Sequence, residues 1–249
     1  MITFDPVYVG DNTFQMQELS FEQCLKISII APNLNEKRLT AFLKSALDSV
    51  FDPLVLTIQE RYLLLLKYLE KQSNTMLEVN TDWSKVFLQS ENNWKTETTQ
   101  NGITVRQLIG MEVEFLEANC KNVAEWIACM MAFQLSYSNH EHLALLPDRT
   151  NPQLFEEQFK QRLDFIKKMP ASDFDLCYQD FNNLNNELFT HLRLSVDNHG
   201  ILVERGADDA PARFRTASIF TGIIKELEIF CLRQQVVFLK TAQCLYRMH

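Results

Sequence analysis

The stretch DPLVLTIQERYLLLLKYLEKQSN, residues 52–74, decides the predicted fold because it contains four consecutive leucines, Leu63–Leu66. Thr57 and Glu60 have the spacing of a capping box, in which each side chain accepts the free backbone N–H of the other residue. A helix is therefore predicted from Thr57 to about Gln72. Its apolar residues leave little surface for water, and such a helix normally lies at the centre of several neighbours. We predict that it forms the middle of an N-terminal helical bundle.

Similar apolar spacing and capping pairs predict further helices along the chain. The predicted starts are Ser20 with Gln23 (to about Ala31), Asn33 or Asn35 (to about Val50), Thr104 with Gln107, Asn122 with Glu125, Asn151-Pro152, and Ser172 with Asp175 (to about Thr190). A last helical pattern covers residues 216–246, about 45 Å if unbroken. A helix of that length either breaks near Arg233 or extends outward as a surface for a partner.

Two segments have the alternation and turn residues of β-hairpins. In the first 19 residues the turn is predicted at Gly10-Asp11-Asn12, and in LRLSVDNHGILVERG it is predicted at Asn198-His199-Gly200. The short runs MLEV and VFLQ are predicted strands, and SENNWKTETTQNG is predicted to be an exposed loop. The predicted fold is mainly α, a helical bundle with short hairpins at the N-terminus and near residues 192–204.

Length and composition limit the domain organisation and the class of protein. The 249 residues are 46% apolar, with only 6 glycines and 7 prolines, which favours helices over a turn-rich β fold. We predict an N-terminal lobe over residues 1–150 and a C-terminal lobe over 151–249, unless the two form one continuous domain. The connection NHEHLALLPDRT, residues 139–150, is the predicted boundary.

Charge and hydropathy argue against nucleic-acid and membrane partners. The formal charge is −8, with 24 basic and 32 acidic residues, and the adjacent basic residues are two separate pairs, Lys37-Arg38 and Lys167-Lys168. Nucleic-acid binding requires clustered positive charge, so no such partner is predicted. No apolar run approaches the roughly 18 residues of a membrane span, and the N-terminus lacks the pattern of a signal peptide.

The cysteines are predicted to be free thiols, since they are widely spaced within helical patterns and no C-x-x-C pair occurs. A reducing cytosol explains this pattern better than disulfides or zinc. The six are Cys24, Cys120, Cys129, Cys177, Cys231 and Cys244.

The densest polar cluster is His140-Glu141-His142. Two histidines two residues apart share a face on an extended strand but not on a helix, and no H-E-x-x-H spacing follows. A solvated loop is the prediction, with a metal site as the alternative. No metal or other cofactor is predicted.

Three carboxylates, Glu112, Glu114 and Glu117, fall within one predicted helix. General acid–base chemistry usually places two carboxylates across a cleft, so that their surroundings separate their pKa values. A solvated acidic face is therefore predicted. Asp208-Asp209 is predicted to lie in a loop, with a possible charge patch formed with Arg213 and Arg215.

Other catalytic patterns are absent from the sequence. It has no Gly-rich phosphate loop and no G-x-S-x-G elbow, and no cysteine has the surroundings of a known nucleophile. Met130, Met131 and Phe133 are predicted to be core residues, although they could also line a promiscuous groove. No catalytic residue is predicted.

Residues 14–135 resemble the helical region of tail and baseplate-hub assembly proteins of tailed bacteriophages. The match is carried by LSFEQCLKISIIAPNLNEKRLTAFLKSALD and by a leucine-rich helix of the form L-T-x-x-[DE]-R-x-x-L-L. Thr57, Glu60, Arg61, Leu64 and Leu65 occupy that pattern. The resemblance implies a non-enzymatic protein of the virion tail, or an assembly chaperone in the host cytoplasm, whose partners are tail, hub or tape-measure subunits.

Two other functions remain open from the sequence. The chain could be a helical adaptor or an inhibitor that blocks a host protein by contact. It could also be an enzyme with a site assembled in space around His140, His142 or a cysteine.

Overall fold

The computed structural model describes residues 2–73, 82–88, 94–205 and 209–212. These ranges contain the helices α1 (Phe21–Ser28), α2 (Asn35–Ala46), α3 (Ile58–Ser73), α4 (Gly110–Asn119), α5 (Val123–Gln134), α6 (Pro152–Lys168) and α7 (Ala171–Leu188). They also contain three antiparallel sheets, formed by β1 (Val7–Val9) and β2 (Asn12–Phe14), by β3 (Glu97–Gln100), β4 (Ile103–Arg106) and β5 (Leu135–Tyr137), and by β6 (Leu194–Asp197), β7 (Gly200–Arg205) and β8 (Asp209–Ala212). The described chain is mainly α-helical with short hairpins, as predicted.

Helix α3 lies in the core and packs against α2, α4 and β1. All four leucines of Leu63–Leu66 are buried, with at most 4% of any one exposed. The predicted capping box is present: the Thr57 N–H donates to Glu60 Oε2 at 2.7 Å, and the Glu60 N–H donates to Thr57 Oγ1 at 3.3 Å. The prediction of a central leucine-rich helix is confirmed.

The N-terminal hairpin and its following helix are also confirmed. Val7 pairs with Phe14 across a turn that contains Gly10, whose φ is +54°. Ser20 and Gln23 form the expected capping box at the start of α1. The helix ends at Ser28, three residues before the predicted end.

Helix α2 begins at Asn35 and ends at Ala46, earlier than the predicted Val50. Leu47 takes an extended conformation and forms a β-bridge with Met16. The Ala46 carbonyl accepts the Gln17 N–H at 2.8 Å. Pairing with the N-terminal segment therefore replaces the last predicted turn of the helix.

The predicted helix start at Thr104 is wrong. Residues 97–106 form the β3–β4 hairpin, and Thr104 pairs with Thr99 on one side and Ser136 on the other. Asn101 and Gly102 have φ values of +53° and +77°, the conformation that favours an Asn-Gly hairpin turn. The predicted loop SENNWKTETTQNG therefore contains a strand at 97–100, and the helix begins at Gly110.

Two of the three helix starts predicted after this hairpin are confirmed. Asn122 accepts the Glu125 N–H at 3.0 Å to cap α5, and Asn151 accepts the Leu154 N–H at 3.2 Å to cap α6, with Pro152 in the first turn. The Ser172–Asp175 cap is wrong because α7 begins at Ala171, so both residues lie inside it.

The second hairpin is confirmed at β6 and β7, where Gly200 has a φ of +104°. Asp209 belongs to strand β8 and not to a loop, so that prediction is wrong for this residue. The predicted strand VFLQ is not formed over residues 86–88, which follow a 3-10 turn at Trp83–Lys85.

Several predictions fall outside the described residues. These are the strand MLEV, Asp208, Arg213, Arg215, the helix over 216–246, Cys231 and Cys244. Among the residues that are described, no helix is both long enough and apolar enough to cross a membrane.

Apolar side chains on both sides of residue 150 belong to one buried cluster. Helix α6 packs against α5, and α7 packs against β3 and β4. Arg162 of α6 reinforces the first contact by donating to the Ala132 carbonyl at 2.7 Å and to the carbonyls of Leu135 and Leu145. The division into lobes at residue 150 stays a prediction.

Candidate functional site

The His140-Glu141-His142 cluster lies on and beside a 3-10 turn, Glu141–Leu143. The His140 ring stacks on Tyr137 with centroids 5.0 Å apart, and the His142 ring lies 4.9 Å from that of Phe165. Over the described ranges, no three His, Cys, Asp or Glu side chains are grouped so that they could hold a metal ion. Aromatic packing is the contact that the structure gives these histidines.

The predicted solvated acidic face of α4 is wrong, and Glu112 is the clearest exception. It is 0% exposed and accepts from Arg149 at 2.6 and 2.9 Å and from Arg106 at 3.2 Å. It also accepts the Ile109 N–H at 3.0 Å, which caps α4. Burial lowers the pKa of the Arg106 guanidinium to about 10, against the opposing effect of Glu112. This carboxylate holds three segments together.

The other two carboxylates of α4 bind α2. Glu114 accepts a hydrogen bond from the Thr40 hydroxyl. Glu117 accepts the Glu36 N–H through both oxygens at 2.9 Å and the Lys37 N–H at 3.4 Å, so it caps the start of α2 from outside that helix. Burial raises the pKa of Glu117 to about 7, with a further contribution from the nearby Glu36 carboxylate.

Arg61, one of the residues of the phage-like pattern, is fully buried beneath these contacts. It donates to the Pro53 carbonyl at 2.8 Å, the Glu36 carbonyl at 2.9 Å and the Thr40 hydroxyl at 3.0 Å. The Tyr62 hydroxyl donates to Glu36 Oε1 at 2.6 Å, and burial raises the pKa of this phenol. The polar groups of α2, α3 and α4 thus form an internal network that joins the helices.

The four described cysteines are free thiols: Cys24 and Cys120 are half-buried, and Cys129 and Cys177 are buried. Burial raises the pKa of Cys177 to about 11. A hydrogen bond to the Cys129 thiol raises the pKa of Cys120. The sequence did not predict that these two thiols are neighbours, because their contact depends on how α4 turns into α5.

Met130, Met131 and Phe133 are all buried on α5, which confirms that they are core residues. The Phe133 ring stacks on that of Phe159 at 4.1 Å and on that of Phe155 at 5.4 Å. Through these ring contacts, this face of α5 packs against α6.

The clearest surface feature is a row of exposed apolar side chains along α1 and at Ile29, the residue that caps its C-terminus, which we call the α1 stripe. It consists of Phe21, Leu25 and Ile29, which are 54%, 38% and 83% exposed. Their four-residue spacing places them along one face of the helix. Ile27, on the other side, is buried. The spacing was visible in the sequence, but the direction in which α1 faces was not.

A groove of about 550 Å³ lies between the N-terminal hairpin and α3. Phe4, Met16 and Leu63 are among its apolar lining residues, and Lys67 and Lys71 lie at its edge. Both lysines are paired, Lys67 with Glu70 at 2.9 Å and Lys71 with Asp5 at 3.0 Å. The groove therefore has a mixed apolar and polar lining, and its two edge lysines are each paired with a carboxylate.

A smaller cavity, which we call the α2 pocket, has a volume of about 210 Å³ at the start of α2. Its walls come from the α1–α2 connection, the end of α4, the start of α5 and the β6–β7 turn. They are formed by Pro32, Asn33, Asn35, Glu117, Cys120, Trp126, Asn198 and His199.

Comparison of the chain with protein-family models, with curated proteins and with solved structures finds no match. The likeness of residues 14–135 to phage tail and hub proteins therefore stays a prediction made from those residues.

Proposed function

We propose that this chain is a non-enzymatic structural or assembly protein of a bacteriophage tail or baseplate. It acts through protein–protein contacts, either within the virion tail or in the host cytoplasm during assembly. In this proposal its helices form a bundle around α3 that presents a binding surface. The assignment to phage tails is supported by the residue pattern of Thr57–Leu65 and its surroundings.

The α1 stripe is the observation that carries the proposed mode of action. Covering a large apolar side chain stabilises a contact by about 1.5–3 kcal/mol. Three such side chains in one row match the way an amphipathic helix is bound, through anchors about one turn apart. The proposed partner is an amphipathic helix of another tail, hub or tape-measure subunit.

The use of the charged groups further supports a non-enzymatic role. Glu112, Glu114 and Glu117 each accept hydrogen bonds that join one part of the fold to another. Arg61 and Arg162 donate to backbone carbonyls. These groups are used to fix helices in place, which suits a protein that presents a rigid surface.

Affinity purification of the tagged chain from cells that are producing phage particles tests the proposal. We expect a tail, hub or tape-measure protein to co-purify with it. Mass spectrometry of purified particles then separates a virion component from an assembly factor that leaves before completion. Capture of a host enzyme alone, from infected and uninfected cells alike, would contradict the proposal and favour the inhibitor hypothesis.

A paired set of variants tests the role of the α1 stripe. Leu25→Ser with Ile29→Ser removes two exposed apolar side chains, and Leu176→Ser removes one that is 63% exposed on α7. We expect the first variant to lose the partner and the second to keep it. Full retention of the partner by the stripe variant would show that binding uses another surface.

A further inference from the structure

The chain continues beyond strand β8, and residues 213–249 are both apolar and basic. Of these 37 residues, 20 are apolar, and six basic residues against two acidic ones give a formal charge of +4. Residues 1–212 contain 18 basic and 30 acidic residues, a formal charge of −12. The two parts of the chain therefore attract each other, and the apolar residues of the shorter part gain from a surface that shields them from water.

Strand β8 directs the chain back towards the turn that joins β6 to β7. Its last residue, Ala212, pairs with Val203, whereas its first residue, Asp209, pairs with Arg205. The strand therefore runs along β7 in the direction of Gly200, where β7 begins. Residues that follow Ala212 start from a position that already points to this turn.

The β6–β7 turn lies close to the end of α1. Asn198 and His199 of this turn line the α2 pocket together with Pro32, which is three residues beyond Ile29. Strand β8 ends opposite the fourth residue of β7, and an extended chain advances about 3.3 Å per residue, so three more residues suffice to reach the turn. The helix predicted over residues 216–246 can therefore begin beside the end of α1 that carries Ile29.

The apolar row at the start of this predicted helix has nearly the length of the α1 stripe. Phe220, Ile223 and Leu227 share one face of a helix, and the first and last are seven residues apart. Phe21 and Ile29 are eight residues apart, so the two rows differ in length by about 1.5 Å. A segment that arrives beside Ile29 covers the stripe only if it runs antiparallel to α1. This register places Phe220 beside Ile29 and Leu227 beside Phe21.

Covalent attachment favours this segment over a second copy of the chain. A tethered segment has an effective concentration that is roughly millimolar for short linkers, whereas a second copy must be captured from dilute solution. The direction of β8 and the opposite charges of the two parts of the chain add to this advantage.

We propose that residues 216–232 cover the α1 stripe of the same chain as an antiparallel helix. Their apolar row packs on Phe21, Leu25 and Ile29 and closes the stripe in the isolated chain. A partner helix then has to displace this segment before it can bind. The inference rests on the proposed function only in naming that partner.

Photo-crosslinking of the full chain tests both the position and the direction of the segment. The photoreactive residue p-benzoylphenylalanine replaces Ile29 in one variant and Phe21 in another, both of which are exposed sites. We expect mass spectrometry to find the probe at 29 linked to residues 216–223 and the probe at 21 linked to residues 224–232. Links in the opposite order, or no link from either probe to this segment, would overturn the proposal.

Two controls separate this contact from other sources of a crosslink. A third probe replaces Leu176, which is 63% exposed on α7, and it should not link to residues 216–232. Mixing unlabelled chain with ¹⁵N-labelled chain identifies the occupant, because links within one chain join peptides with the same label. An equal yield from the α7 probe, or links between labelled and unlabelled peptides, would contradict covering by the same chain.

Hydrogen exchange of the full chain provides a readout that needs no probe. Ile223→Ser with Leu227→Ser removes two side chains of the apolar row, and we expect exchange of the α1 amides to accelerate at least about fivefold. Phe238→Ser lies outside the row and should leave α1 exchange within about twofold of the natural chain. Unchanged α1 exchange in the double variant, or equal acceleration by Phe238→Ser, would refute the covering contact.

Failure of this inference is distinguishable from failure of the proposed function. The crosslinking and exchange measurements use the isolated chain, whereas co-purification uses cells that are producing phage particles. An open stripe in the isolated chain leaves the co-purification result untouched, and a failed co-purification leaves the crosslinks untouched.

Discussion

Both carboxylate oxygens of Glu117 on α4 lie 2.9 Å from the backbone nitrogen of Glu36 on α2. Leu34, which precedes α2, makes no side-chain capping bond of its own. Glu117 therefore replaces a local cap with one supplied from a helix 81 residues away. Burial disfavours the charged form of the Glu117 carboxyl and thereby raises its pKa to about 7.

The raised pKa predicts how Glu117 affects stability as the pH changes. The ordinary value is 4.5, so between pH 4.5 and 7 the folded chain retains a proton that the unfolded chain releases. The contribution of Glu117 to stability therefore falls as the pH rises through this window, and the loss is complete above pH 7. Glutamine does not ionise and lacks this effect.

We expect Glu117→Gln to gain stability relative to the natural chain between pH 5 and pH 8. A full unit of pKa shift corresponds to about 1.4 kcal/mol, and solvent screening at this half-buried site reduces the expected gain to about 1 kcal/mol in total. Urea denaturation at both pH values measures it. Glu157→Gln, on the exposed surface of α6, gives the background for removing a surface carboxylate. If the stability of Glu117→Gln relative to the natural chain is lower at pH 8 than at pH 5, the prediction is contradicted.

Local signals in the sequence predicted the elements that depend on neighbouring residues. The Ser20–Gln23 and Thr57–Glu60 caps and the Asn198–Gly200 turn need only a few residues, and all are present. The Glu117 cap could not be predicted from the sequence because it joins two separate helices. Nothing in the spacing of residues 112–117 shows which side of α4 faces α2.

The Thr104 error has a different physical origin. Thr104 and Gln107 have the spacing of a helix cap, but Thr98, Thr99 and Val105 favour strands, and Asn101-Gly102 favours a hairpin turn. Pairing of β4 with β5 then fixes the strand, and that contact joins residues about 32 apart, such as Thr104 and Ser136. Residues 103–106 form strand β4 and not a helix because β3 and β5 pair with them on both sides.

Gly110 is predicted to be intolerant of alanine because its backbone packs against Arg61. An added methyl group would collide with the Pro53 carbonyl and the Arg61 guanidinium and would lie 2.9 Å from the Leu54 Cα atom. It would also disturb the 2.8 Å bond between that guanidinium and Pro53. We expect Gly110→Ala to cost about 3 kcal/mol in the free energy of unfolding.

Gly10→Ala is a suitable comparison for this measurement. Its methyl group would meet the movable Trp94 side chain at 3.1 Å, although its φ of +54° adds backbone strain. We expect a loss of about 1 kcal/mol. If chemical denaturation finds Gly110→Ala to be the milder change, the close packing against Arg61 does not control stability.

Leu65 is predicted to be essential because it is fully buried on the central helix α3. Aspartate at this position would place an unpaired charge in the core, a cost that approaches the roughly 5–15 kcal/mol total stability of a folded protein. We expect Leu65→Asp to abolish the cooperative unfolding transition followed by circular dichroism. Leu65→Met should cost less than about 1.5 kcal/mol. Leu176→Asp, on the exposed side of α7, should change stability by less than about 0.5 kcal/mol. A cooperative transition in Leu65→Asp would disprove the central role of this residue.

Glu112 is predicted to be the carboxylate whose loss costs the most stability. It is the shared acceptor of Arg106 and Arg149 and is itself fully buried. Removing one member of a buried ionic group leaves the others uncompensated, at about 3–5 kcal/mol.

We therefore expect Glu112→Ala to lose about 4 kcal/mol in urea denaturation. Adding Arg149→Met should recover about 1 kcal/mol, because it removes one of the two stranded charges. The recovery is partial since Arg106, which also donates to the Phe133 carbonyl at 3.1 Å, remains buried. If the double variant is as unstable as the sum of the two single variants, the two residues act independently and the ionic coupling inferred from their 2.6 Å contact is wrong.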